Sequence, residues 1–94
     1  MNQHIQYPDR EAWSDDEYAI VFPVLVGGFQ HDCVLGQSTL LARYGNKAPE
    51  QWLALFRQHR WDWEEEFERA IRNDEYDDVG RFVLPSDGVN QTDA

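Results

Sequence analysis

The residues best suited to chemistry in this chain are His31, Asp32 and Cys33, three adjacent side chains able to supply a base, an orienting carboxylate and a nucleophile. That chemistry needs the base within hydrogen-bond reach of the thiol and the carboxylate behind the base. On a strand, alternate side chains point to opposite faces. His31 and Cys33 therefore share one face and Asp32 points away, so the three cannot form that line among themselves. A packed, inert cysteine beside a hydrogen-bonded histidine is the expected reading, because free cysteine commonly behaves as a small buried hydrophobe. Metal binding would require further ligands from His4, His59 or an acid, and no ligand spacing supports it.

Two acidic groupings invite other chemistry. Asp74, Glu75, Asp77 and Asp78 suggest calcium, but an EF-hand loop begun at Asp74 would place Tyr76, Val79 and Pro85 where an acid or amide, a glycine and a glutamate are required. Glu64 and Glu68 lie four apart on a helix, a spacing compatible with acid–base work. No apolar pocket is implied that would raise either pKa. Phosphate loops, dinucleotide fingerprints and nucleophile elbows have no match. No catalytic residue, metal ligand or cofactor site is therefore assigned, and the chain leans away from being an enzyme.

These residues must be positioned by few elements. Ninety-four residues with 41% hydrophobic content suffice for one core, expected over residues 1–85, with the polar segment 86–94 as a disordered tail. The lone Cys33 argues against a disulfide scaffold. No basic segment precedes an apolar run, and the longest apolar run, Ala19 to Val26, is broken by Pro23. A cytoplasmic location is the expectation. A net charge of -10 disfavours direct binding to nucleic acid or to a membrane, and is suited instead to a basic protein partner.

Ile5 and Tyr7 alternate with polar residues in a weak first strand. After a polar connector from Asp9 to Glu17 that carries Trp13, the apolar content predicts a hairpin from Tyr18 to Leu35 turning at Gly27-Gly28. Phe29, His31, Cys33 and Leu35 should form its buried face, and Pro23 implies an edge or a bulge. Ser38 is the expected cap of a short helix with Leu40, Leu41 and Tyr44 inward and Gly45 as its stop. Arg81 to Leu84 reads as a last strand. The fold class is α+β: a small antiparallel sheet, formed by the hairpin plus short N- and C-terminal strands, packed against two or three helices.

Between Pro49 and Asn73, about 100° per residue places Trp52, Phe56, His59, Trp63, Phe67 and Ala70 on one face. Trp61 would point about 180° from Trp52 in an unbroken helix. A break near Arg60, with Asp62 as cap and Glu65 completing a capping box, would let Trp61 turn inward; the continuous helix is the alternative. Trp61 and Trp13 are expected to pack onto the core, whereas exposure of either would mark an interaction hot spot. From Asp62 to Asp78, nine acids face only Arg69 and Arg72.

Taken in order, Ile5-Gln6-Tyr7, Trp13, Ala19-Ile20-Val21-Phe22, Gly28, Cys33, Gly36, Phe56 and Arg60-Trp61-Asp62-Trp63-Glu64 resemble a family of small bacterial proteins known as domain of unknown function 1488. The resemblance spans about residues 3 to 84. Trp61 and Trp63 stand where that family's pattern has a phenylalanine and an isoleucine. The resemblance implies a compact α+β domain and no catalytic residue or cofactor. The residues then favour a non-catalytic protein-interaction or regulatory module whose contact surface is Trp61, Glu64, Glu65 and Glu68. A nucleic-acid-mimicking acidic face differs from this only in its partner. The alternative is a small enzyme or ligand-binding domain using His31 and Cys33 in a cleft between sheet and helices.

Overall fold

A computed structural model describes residues 4–84; the tail expected at residues 86–94 lies outside them. The order is β1 (Ile5–Gln6), β2 (Ala12–Ser14), β3 (Ala19–Val26), β4 (Phe29–Gly36), α1 (Gln37–Tyr44), α2 (Pro49–Gln58), α3 (Arg60–Arg72) and β5 (Phe82–Leu84). It is an α+β fold with a five-stranded sheet and three helices. The connector expected between Asp9 and Glu17 contributes β2, with Trp13 opposite Ile20.

The hairpin forms as its turn residues dictate. Gly27 and Gly28 both have positive φ, 58° and 89°, which a two-residue connection of this kind requires. Its register runs unbroken from Ala19 opposite Gly36 to Val26 opposite Phe29. On its other side β3 pairs with β2 up to Val21 and with β1 from Leu25 onward. Pro23 falls in the gap between them. The edge implied by proline is thus local, inside an otherwise central strand, and no bulge is needed.

Sheet pairing is antiparallel through β4, but β5 joins β4 in parallel, Cys33 opposite Phe82. The sheet is mixed because the chain crosses back through all three helices before β5, the long connection that a parallel neighbour demands. Those helices cover one face. Ile20, Phe22 and Val24 from β3 meet Leu40, Trp52, Phe56, Trp63, Phe67 and Ile71 in one buried cluster. Phe22 is central, its ring centroid 4.9 Å from Phe56 and 5.1 Å from Phe67.

Local details depart from expectation. Gly36 occupies the N-cap of α1, without a side-chain cap, so Ser38 lies inside the helix. Leu40 is buried, while Leu41 is exposed. The break in the long helical region falls at His59, which ends α2 and begins α3, and Asp62 is not the cap. Backbone bonding continues across it, from the His59 N–H to Leu55 O and from the Asp62 and Trp63 N–H groups to His59 O. The helical phase is therefore nearly preserved, and Phe56 and Trp63, seven residues apart, both stay on the sheet. Trp61 is left on the outside, 84% exposed, instead of turning inward.

Candidate functional site

The start of α3 is fixed from beneath by Arg60. Its guanidinium donates to Glu11 at 2.6 Å, to Glu64 at 2.8 Å and to the Pro8 carbonyl at 2.9 Å. It also lies over Phe22 and Phe56, 5.8 and 5.6 Å from their ring centroids. Arg57 donates to Glu11 at 2.7 Å, and the Tyr7 hydroxyl donates to the Glu64 carbonyl at 3.0 Å. Partial burial alone would raise the Glu11 pKa, but the hydrogen bond from Arg57, a backbone hydrogen bond and the charge and hydrogen bond of Arg60 together outweigh it and hold the carboxyl below its ordinary range. Burial pushes the Tyr7 hydroxyl well above its own.

This clamp assigns roles to the four surface candidates on α3. Glu64 is committed to Arg60, and Glu68 pairs with Arg72 at 2.8 Å. Glu66 likewise pairs with Arg43 at 2.6 Å. Trp61 and Glu65 remain outward. Trp61 borders an open hollow of about 410 Å³ with Arg57, Gln58, His59 and Asp62. The other three tryptophans serve the fold through their indole N–H groups: Trp13 donates to Asp15, Trp52 to the Gly45 carbonyl and Trp63 to the Tyr44 hydroxyl, each at 3.0 Å. Trp13 also packs against Trp52, centroids 5.9 Å apart, as expected of it.

His31 and Cys33 are not joined into one site. Cys33 has no exposed surface and belongs to the core. Burial, helped by the neighbouring Asp32 charge, pushes its thiol well above the ordinary range. Its reaction with a disulfide reagent at pH 8 is expected to be on the order of 10³-fold or more slower than in the unfolded chain, because the thiol becomes available only by opening against the folding free energy. A native chain that reacts as fast as the denatured one would refute this. His31 is half-buried, and its Nδ1 lies 2.9 Å from the Gly80 carbonyl. The carbonyl can only accept, so Nδ1 carries the hydrogen.

Beside His31 the structure assembles residues that the sequence analysis did not connect with one another. Phe29, expected to be buried, is 74% exposed, because β4 begins beyond the region the helices cover. Together with His31, Ile71, Asp74, Tyr76 and Phe82 it lines an open groove of about 410 Å³ between β4 and the end of α3. The His31 and Tyr76 rings are nearly parallel, 16° apart in plane with centroids 6.4 Å apart. Phe82 presents its ring edgewise to both. The one local signal is Asp74, a non-glycine residue at φ 55°.

The acidic run yields no cation site among the described residues, where no group of three or more His, Cys, Asp or Glu side chains converges. Asp77 instead organises its own turn. Its carboxylate accepts from the backbone N–H groups of Arg81 and Val79 at 2.9 and 3.0 Å, and these bonds, that from Arg81 foremost, hold it below the ordinary range.

Fold and surface together define a small α+β domain with its thiol sealed in the core and its aromatic groups displayed at two places outside. The chain belongs to the family described as protein of unknown function DUF1488, whose sequence profile matches residues 5–84. It is 49% identical over 85 residues to the uncharacterized protein YrdB of Escherichia coli K12, covering 90% of this chain and all of that one. The YrdB protein of Shigella flexneri is 48% identical over the same length and coverage. A crystal structure of a DUF1488 protein of unknown function from Shewanella loihica PV-4 superposes with a TM-score of 0.79 at 35% identity, over 89% of this chain and 94% of that one.

Proposed function

We propose that this domain is a non-catalytic protein-interaction module that docks a basic segment of a partner protein, with Trp61 as its anchor. The observation that carries the reading is the 84% exposure of Trp61 in the first turn of α3. Folding does not use this side chain, and exposed tryptophan beside charge is the composition of a binding hot spot. Covering most of a ring of roughly 200 Å² is worth about 4 to 5 kcal/mol before association costs. Asp62 and Glu65 flank it, and a chain at -10 attracts basic partners. Glu64 and Glu68 act in this reading by holding the helix, since their charges are already paired. We place such a module in the cytoplasm, in keeping with its lone unpaired cysteine. No observation favours the enzyme alternative, which needs a reachable thiol.

The test is a titration of arginine-free, lysine-rich peptides carrying one central apolar residue, followed by calorimetry in the Asp74→Asn background as well as in the parent. Binding should weaken with salt and fall about tenfold or more in the Trp61→Ala chain. That chain should unfold within about 0.5 kcal/mol of the parent, as expected for a surface substitution. Equal binding by the parent and the variant would remove the proposal.

A further inference from the structure

We propose that the groove between β4 and the end of α3 is a binding site for an arginine side chain presented by a partner protein. The site is separate from Trp61 and does not depend on it. Three features select a planar cation. Tyr76, 53% exposed, and the nearly parallel His31 offer ring faces, with Phe82 edgewise behind them. Aromatic faces attract cations, and guanidinium, being planar and weakly hydrated, stacks on them better than ammonium does.

Charge at the groove has the matching sign. Asp74 lines it, Glu75 follows, and neither is in an ion pair among the described residues. The negative end of the α3 dipole lies at the same place, and Arg72 in that last turn is drawn back onto Glu68. An Asp74 carboxylate can receive a guanidinium through two parallel hydrogen bonds.

The backbone at Asp74 points the same way. The residue sits at φ 55° just after the helix, with the Glu75 N–H bonded to the Ala70 carbonyl at 2.9 Å and its own N–H to Ile71 at 3.1 Å. Glycine most often fills this stop position, and aspartate is among the few other residues that tolerate it. The chain keeps a carboxylate there instead. A protein segment, rather than a free small molecule, is the occupant because the apolar surface continues past the aromatic slot. Phe29 is 74% exposed, and Val79, 72% exposed, lines an adjoining hollow across His31 and Gly80. These give purchase to residues flanking the arginine.

The experiment titrates the full chain with a capped pentapeptide holding a central arginine between leucines, and with its lysine and citrulline counterparts, at low ionic strength. The arginine peptide should bind about tenfold or more tighter than the citrulline peptide, with lysine between them and with the resonances of His31 and Tyr76 shifting. Asp74→Asn and Tyr76→Ala should each weaken it by a similar factor, while Trp61→Ala leaves it unchanged. Asp74→Gly should lose binding yet melt no lower than the parent, which separates loss of the site from loss of fold. Equal affinity for arginine and citrulline, no binding of any peptide, or unchanged affinity in Asp74→Asn would overturn the assignment. Free arginine amide binding as tightly as the peptide would overturn the choice of a protein segment.

Discussion

Arg60→Ala is expected to destabilise the domain by about 3 kcal/mol, the lower end of the roughly 3 to 5 kcal/mol seen when one partner of a buried ion pair is removed. The lower end applies because the Arg60 and Glu11 side chains retain 13% and 12% exposure. The variant leaves Glu11 with Arg57 alone and leaves the Pro8 carbonyl with only one of its two donors, the Arg10 N–H. It also uncovers the edges of Phe22 and Phe56. Lysine at this position keeps the charge but not the fork, and should recover only part of the loss. Urea unfolding reads both, and a loss below about 1 kcal/mol for alanine would mean the network behaves as an ordinary surface pair.

The same network ties stability to pH with a definite sign. Glu11 has a depressed folded pKa, so its contribution is complete above the unfolded carboxylate value, about 4.3. It is lost as pH falls through the lower folded value. Asp77 shifts in the same direction. The parent should therefore weaken on acidification over that window, and Glu11→Gln should weaken less steeply because it has no proton to take up there.

Phe22→Ala is the second large effect, about 3 to 5 kcal/mol for an aromatic deleted from a packed core. Phe22 has no exposed surface, touches rings from both α2 and α3, and lies under the Arg60 guanidinium. For a domain of this size the whole unfolding free energy is roughly 5 to 14 kcal/mol, so the change consumes a large part of it. The denaturant midpoint should fall with the slope unchanged. Phe22→Leu, which keeps most of the volume, should cost less than about 1.5 kcal/mol. If the alanine and leucine variants lose the same amount, the ring contacts rather than the filled volume are what stabilises this layer.

Both predictions rest on residues whose partners lie far away in the chain, and this divides what was legible from what was not. The hairpin, its Gly27-Gly28 turn, the amphipathic stripe of Trp52, Phe56, Trp63 and Phe67, and the sealed position of Cys33 follow from local chemistry: glycine's freedom at positive φ, the two backbone periodicities and the burial of apolar side chains. Those rules act within a few residues, so the amino-acid sequence by itself determined them. The helical phase also put Trp61 outside, but periodicity could not say how sharply the chain turns near Arg60.

Tertiary structure decided the rest. Arg60 meets Glu11 across 49 positions, a pairing that no local pattern encodes. Phe29 shares the alternation of Cys33 and Leu35 yet stands in solvent, because strand period tells which face a side chain takes and not how far the helices extend over it. Tyr76 and Asp74 read as part of an acidic run until the return of β5 beside β4 sets them against His31. Of the candidate contacts, Trp61 stands outside by helical phase, whereas the aromatic groove at the far end of α3 is a product of where the helical layer stops covering the sheet, a property of packing that only the assembled fold possesses.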